Sequence, residues 1–363
     1  MKTNSKLKVA FFITSLAGGG AEKAVSMLLD SLCGVTYELH LIVNKLEGPY
    51  VKSLPEHIHV TELGAARLRS ALPVLKQELK KINPDVVISH MMENNLLIML
   101  AKLTGKFSFK TLLCEHSTIQ RKRFKGANML RTWTYSRSDG VIGVSAAMGQ
   151  EIHSVLKVPE NKVHVIYNPV FDSDFIQRSE RPCTHPWLID MEYPVIIGIG
   201  RLVREKRFDL FIEVIKELNE GMNVRAIILG EGHLRSELQE KINGYKLQAK
   251  VELAGYMDNP LPFLKKGNVF LQSSDIEGLP TALIEATACG IPIVATKTHT
   301  GTEEILNGGS GIIVEREDVN GMVDAVKLML QQQRSEVSPT YYQKFSSEQA
   351  AEEYSSLIDK LCI

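Results

Sequence analysis

Two glutamates eight positions apart, Glu277 and Glu285, bracket a Gly278-Leu279-Pro280 turn and an apolar run that opens with Thr281 and Ala282. Eight residues is about two turns of helix, so the spacing allows both carboxylates on one side. If a helix begins after Pro280, the backbone amides of Thr281 and Ala282 lack intrahelical partners and can hold an anion such as a phosphate. A carboxylate inside that helix can accept hydrogen bonds from sugar hydroxyls. Taken alone, two solvated glutamates on an ordinary amphipathic helix are the better account, so the decision falls to the rest of the chain.

Other groups stand where expected strands end. Arg201 and Lys206 follow the expected strand Val195–Ile199, on the side where open α/β sheets take ligands, and a planar fork with a flexible ammonium suits a diphosphate. His116 ends the strand Lys110–Cys114 within Glu115-His116-Ser117, while the other histidines of the ten need no role. Gly18-Gly19-Gly20 follows the first strand, but Ala21-Glu22-Lys23 comes next, so the G-x-G-x-x-G dinucleotide pattern fails and the P-loop pattern is absent. What remains is a tight turn whose amides, at Gly19 and Gly20, can approach a phosphate closely. Gly230 and the Gly255-Tyr256 pair also lie at strand ends, the latter placed to bring amides to a nucleobase edge, and Thr298–Ile305 is a candidate hydroxyl- or phosphate-binding turn. Asp172-Ser173-Asp174 is not at a strand exit, and no zinc spacing or G-x-S-x-G elbow occurs. The expected diphosphate is therefore held by Arg201, Lys206 and helix amides, with no metal and no cofactor.

The elements that must position these groups alternate. Apolar runs Lys8–Thr14, Glu38–Val43, Val86–Ser89, Lys110–Cys114, Gly140–Ser145 and Val163–Tyr167 read as buried strands, separated by helical patterns such as Leu72–Ile82 and Asn94–Leu103. The rhythm breaks from Asn168 to Pro194, which holds prolines 169, 182, 186 and 194. It then restarts with strands at Val195–Ile199, Val224–Leu229, Val251–Leu253, Val269–Leu271, Ile293–Thr296 and Gly311–Val314. The expectation is an α/β protein: two Rossmann-like parallel-sheet domains facing a cleft, residues 1–170 and 171–345, plus an amphipathic segment 346–363 that fits neither rhythm. At 363 residues with 44% hydrophobic and 23% charged composition, the chain has core enough for two domains. The amino-terminal apolar run is too short for a signal peptide or a spanning helix, and the five scattered cysteines read as reduced thiols, so a cytoplasmic protein is expected.

The motifs together, nearly end to end, resemble the retaining glycosyltransferases of family 4, which have the GT-B fold: Gly18–Glu22, Glu115-His116, Val144-Ser145, Asn168-Pro169, Gly200-Arg201 with Lys206, Gly230-Glu231-Gly232, Glu277 through Glu285, Gly301–Ile305 and a terminal helix. The resemblance implies that Glu277 hydrogen-bonds the donor sugar and Glu285 the nucleotide ribose. It likewise implies that Arg201 and Lys206 neutralise the departing diphosphate and that His116 stands near the donor hexose. Gly19 and Gly20 lie near the β-phosphate and acceptor, Thr281-Ala282 over the phosphates, and the terminal helix crosses back to the first domain. The implied reaction moves a hexose or N-acetylhexosamine from a nucleotide sugar, UDP-linked by preference, with a GDP-mannose-type mannosyltransferase or a UDP-sugar epimerase of the same fold as alternatives.

Zero net charge conceals an asymmetry that bears on the acceptor. Residues 1–170 carry 22 Lys+Arg against 13 Asp+Glu (+9), and residues 171–363 carry 20 against 29 (−9). Arg121, Lys122, Arg123 and Lys125, with aromatics interleaved up to Arg131-Thr-Trp-Thr-Tyr, suit an anionic acceptor or membrane surface. Relatives with a similar Gly-Gly-Gly-Ala-Glu opening extend polyprenyl-diphosphate-linked glycans, so the expectation is a bacterial enzyme of surface polysaccharide or glycoprotein glycan synthesis, peripheral at the inner face of the cytoplasmic membrane. Clustered arginines with several stacking aromatics are lacking, and no nucleic acid partner is expected.

Overall fold

The computed structural model describes residues 6–32, 37–119, 125–298, 300–306 and 311–362. The chain divides into two compact units, Met1–Asp172 together with Lys344–Ile363, and Ser173–Gln343.

The first unit is a seven-stranded sheet of β1 (Leu7–Ile13), β2 (Tyr37–Val43), β3 (His59–Glu62), β4 (Val86–His90), β5 (Lys110–Glu115), β6 (Gly140–Gly143) and β7 (Val163–Val165), all parallel, in the order β3-β2-β1-β4-β5-β6-β7. The continuous apolar run of β1 reflects burial on both faces. Val9, Phe11 and Ile13 enter one core, while Ala10 and Phe12 enter the other, as strand alternation requires. The helix Ser347–Cys362 belongs to this unit. Ala350, Ala351, Tyr354, Leu357 and Ile358 join the first of those cores, and Tyr354 Oη lies 3.3 Å from Cys114 Sγ.

The second unit is a six-stranded parallel sheet of β8 (Val195–Ile199), β9 (Arg225–Leu229), β10 (Val251–Gly255), β11 (Val269–Gln272), β12 (Ile293–Thr296) and β13 (Gly311–Val314), in the order β10-β9-β8-β11-β12-β13. Its main core packs Ile196, Ala226 and Ile228 against Phe211, Ile212 and Ile215 of the helix Phe208–Gly221.

In both sheets the order reverses at one place, between β1 and β4 and between β8 and β11. Loops leaving adjacent strands diverge there, and the crevice at the carboxyl ends is where such sheets take ligands.

Two elements depart from expectation. β3 carries one apolar residue, Val60, in an exposed stretch; it pairs only along the sheet edge, so its side chains have no alternation to show. The basic stretch with interleaved aromatics, to which the sequence reading assigns no regular element, is in part a helix, Lys125–Tyr135.

Candidate active site

In the second unit, the exits of β8 and β11 converge. Lys206, in the 3₁₀ turn Arg204–Lys206 after β8, places Nζ 2.6 Å from Oε1 of Glu277, which follows β11. Both side chains are mostly buried, at 22% and 9% exposure, so the pair is shielded from bulk solvent. Hydrogen bonds bind the two exits together: Ser273 Oγ donates to the carbonyls of Lys206 and Arg207 at 2.9 Å each, and the Asp275 amide donates to the Glu205 carbonyl at 2.9 Å. Arg207 sits at φ +50°, a left-handed conformation unusual for a non-glycine residue. Its guanidinium reaches Asp209, Asp275 at 3.0 Å and Glu317 at 3.1 Å. Hydrogen bonding to Asp209 first, and then to Asp275, holds its pKa further above the ordinary arginine value. These ties over-determine the turn that carries Lys206.

The helix after Pro280 runs Thr281–Ala288, so the amides of Thr281 and Ala282 open it as expected. Glu277 lies outside it, however. The eight-residue spacing is not two helical turns but a four-residue turn followed by about one turn of helix to Glu285, which is buried. The turn Gly278–Pro280 is held by its neighbours: Thr300 Oγ1 donates to the Glu277 carbonyl, and a Cβ on Gly301 (φ +86°) would stand 2.7 Å from Pro280 Cδ. A side chain at Gly301 would collide with the turn, which accounts for glycine there. Gly230 is equally constrained, since its Cβ would meet the Gly200 carbonyl oxygen at 1.9 Å where the loops after β8 and β9 touch. Arg201 is exposed and has no side-chain partner among the described residues, and Tyr256, after Gly255 at the end of β10, is 46% exposed.

In the first unit, Gly19 and Gly20 lead from β1 into the helix Gly20–Leu32, where the Gly19 carbonyl accepts from the Lys23 amide at 3.0 Å. His116 stands one residue past β5, with Nε2 3.0 Å from Nδ1 of His90 and Nδ1 3.4 Å from Asn168 Nδ2. It is partly accessible, yet crowding by protein around the ring pushes its pKa down to about 4, so it is neutral near pH 7. His90 is fully enclosed, and burial, then the neighbouring His116, drive its pKa well below the ordinary value.

Glu115 is not available for chemistry. Its Oε2 lies 2.6 Å from Arg131 Nη2 and accepts from Tyr135 Oη at 2.6 Å, with the ion pair at 1% and 3% exposure. Burial raises its pKa against the opposing pull of Arg131. This corrects the reading of Arg131 as part of a basic surface: Arg131 and Tyr135, four apart, line the inner face of the helix Lys125–Tyr135, and the face left to solvent carries Met129, Leu130 and Trp133. Arg121, Lys122 and Arg123 lie outside the described residues, as does the side chain of Lys125.

The structure thus brings Lys206 and Glu277 into contact, places Gly278 through Ala282 and Glu285 along the same segment, and adds Ser273, Asp275 and Arg207 as supports that sequence reading missed; Thr300, from the stretch read as a hydroxyl- or phosphate-binding turn, supports the Glu277 carbonyl. His90 was also missed, although it ends β4 beside the switch point, a position that marks it. Among the described residues no three metal-ligating side chains gather, and no helix is long and apolar enough to cross a membrane.

Residues 18–173 match the family model "Glycosyltransferase Family 4", and residues 184–345 match "Glycosyl transferases group 1". The chain belongs to glycosyltransferase family 4. The transferase is 27% identical over 343 residues to the N-acetylgalactosamine-N,N'-diacetylbacillosaminyl-diphospho-undecaprenol 4-alpha-N-acetylgalactosaminyltransferase of Campylobacter jejuni, covering 89% of this chain and 90% of that one. It is 24% identical over 355 residues to the phosphatidylinositol N-acetylglucosaminyltransferase GPI3 subunit of Saccharomyces cerevisiae, covering 94% and 78%. Among solved structures, Anabaena HepE in complex with UDP and glucose superposes with a TM-score of 0.79 at 16% identity, over 97% of this chain and 99% of that one. The transferase accordingly has the GT-B fold.

Proposed function

We propose that the transferase moves an N-acetylhexosamine from a UDP-sugar to a glycan on a polyprenyl diphosphate, with retention and without a metal. The observation that carries this reading is the Lys206–Glu277 pair at the β8/β11 switch point, four residues ahead of a helix N-terminus. In it, Lys206 and the exposed Arg201 stabilise charge on the departing diphosphate, and the amides of Thr281 and Ala282 cradle its oxygens. Glu277 accepts from hydroxyls of the sugar and Glu285 from the ribose, with Gly255 and Tyr256 toward the base. His116, neutral, hydrogen-bonds the hexose from the first unit. Glu115 is held between Arg131 and Tyr135, which supports departure and attack on one face of the sugar over a covalent glycosyl-enzyme. In that step the bond from the anomeric carbon to the diphosphate breaks, the acceptor oxygen bonds to the same face, and the acceptor proton passes to a diphosphate oxygen.

The named relatives support the choice of substrates: those of Campylobacter jejuni carry N-acetylgalactosaminyltransferase names with diphospho-undecaprenol or PP-undecaprenol acceptors, and the yeast relative an N-acetylglucosaminyltransferase name with a phosphatidylinositol acceptor. Such an acceptor fits an enzyme peripheral at the inner face of the cytoplasmic membrane. Met129, Leu130 and Trp133, 74%, 50% and 46% exposed, lie in a stretch, residues 118–137, that contains no acidic residue. Arg137 lies over the Trp133 ring at 4.3 Å, and an apolar face with a cation beside it suits an anionic lipid surface. Thermal stabilisation by UDP, GDP and ADP separates the donor classes. The expected result is a shift with UDP that Lys206→Ala abolishes; stabilisation by GDP alone would favour a mannosyltransferase reading.

A further inference from the structure

His90 takes no part in the reading above, yet it is the residue His116 touches most closely. It ends β4, the strand next to β5, so the parallel register sets the two rings side by side at the switch-point end of the sheet. The ring centroids are 5.3 Å apart, tilted by 37°, and His90 Nδ1 lies 3.0 Å from His116 Nε2. On its far side His90 stacks on Phe11 at 6.0 Å with planes 13° apart, so its ring cannot turn without opening the core. Asn94 Nδ2 donates to the His90 carbonyl at 2.8 Å, which fixes the backbone as well.

Between two neutral imidazoles one nitrogen donates and the other accepts, and the direction fixes both tautomers. With Asn168 Nδ2 donating to His116 Nδ1, His116 carries its hydrogen on Nε2 and donates to His90 Nδ1; the His90 hydrogen then lies on Nε2, which is buried without a hydrogen-bond partner among the described residues. We propose that His90 is a positioning residue that holds His116 as the Nε2–H tautomer, keeping Nδ1 as the acceptor that meets a hydroxyl of the donor sugar. The 3.4 Å contact with Asn168 is the longer of the two ring contacts, and so the one that a sugar hydroxyl displaces. The inference rests on the assignment of His116 to the donor side of the reaction.

The test is long-range ¹H–¹⁵N NMR of the full chain labelled at its imidazoles, combined with kinetics of His90→Phe and His90→Asn. The wild-type spectrum is expected to show His116 as Nε2–H. In His90→Phe the Nε2–H group would face a ring with no acceptor, so the hydrogen moves to Nδ1, where the Asn168 carbonyl can accept it. Turnover falls about 10- to 100-fold, with KM for the donor nearly unchanged. His90→Asn, which returns an acceptor near the original Nδ1, restores the Nε2–H spectrum and most of the rate. An Nδ1–H wild-type His116, or an unchanged tautomer in His90→Phe, overturns the proposal. If His90→Phe does not fold, the wild-type spectrum and His90→Asn decide. The spectra need no donor: full activity of His116→Ala would sink the role given to His116 while leaving the tautomer result to stand or fall by itself.

Discussion

Lys206 and Glu277 meet at 2.6 Å across the exits of β8 and β11, and both belong to the segments assigned to the donor. The ammonium has three donors and the carboxylate two oxygens, so each can take a ligand partner without losing the other. A diphosphate oxygen at Nζ and a sugar hydroxyl at the carboxylate would complete the pair, placing charge stabilisation beside the bond that breaks. Lys206→Ala and Arg201→Ala are each expected to lower turnover by about 10²- to 10³-fold, the scale for loss of one preorganised electrostatic group. Steady-state kinetics checks this, with near-wild-type circular dichroism showing that the fold survives.

The buried pair of Glu115 and Arg131 is a matter of stability. Arg131→Met leaves the Glu115 carboxylate enclosed without its cation, and the expected loss is about 3–5 kcal/mol in urea unfolding. Glu115→Gln with Arg131→Met, which removes both charges, should recover a large part of that loss. A single mutant as stable as wild type would contradict the burial described for Arg131.

The outer face of the same helix gives a different outcome. Met129→Ser with Trp133→Ser removes half-exposed apolar surface and the 4.3 Å contact of Arg137 with the Trp133 ring, so the expected loss of stability is only about 1–2 kcal/mol. Binding to vesicles of neutral lipid doped with anionic lipid should drop at least several-fold in co-sedimentation. Equal binding by variant and wild type would remove this face from the account.

The lowered pKa values of His90 and His116 set the sign of a pH effect. Between about 4, the folded value of His116, and 6.5 the unfolded state takes up a proton that the folded His116 refuses, and His90 acts in the same sense, so stability is full above the unfolded value and is lost as pH falls. His116 contributes up to about 1.4 kcal/mol per pH unit in that window. Glu115, whose pKa is raised by burial, acts in the opposite sense as pH rises through its folded value. The urea midpoint of the first unit should fall from pH 7 to pH 5, and less so in His116→Phe. An unchanged slope in that variant would contradict the buried, neutral His116.

Much of this architecture is legible in local pattern. The run from Leu7 to Ile13 shows a strand buried on both faces, and Pro280 followed by Thr281 marks a helix start; both signals lie within a few residues. Glu277, Lys206 and Arg201 are legible because strand ends announce the ligand side of a parallel sheet. What escaped depends on partners distant in sequence. Arg131 reads as surface charge until Glu115 on β5 is seen to enclose it, and His90 reads as one more histidine until the β4–β5 register sets it against His116. Arg207 looks interchangeable with its basic neighbours, and only its left-handed backbone and three carboxylate partners set it apart. The helix Lys125–Tyr135 was missed because its apolar residues face outward, so its periodicity points away from the core.

The most direct measurement is transfer itself. The full chain is incubated with UDP-N-acetylhexosamines and a polyprenyl-diphosphate-linked oligosaccharide, with chelator present, and the lipid product is read by mass spectrometry and its new linkage by NMR. The account predicts addition of N-acetylhexosamine in the same anomeric configuration as the donor, abolished in Glu277→Ala and Lys206→Ala. An inverted linkage, transfer that survives in those variants, or no transfer from any UDP-sugar to the lipid would contradict it.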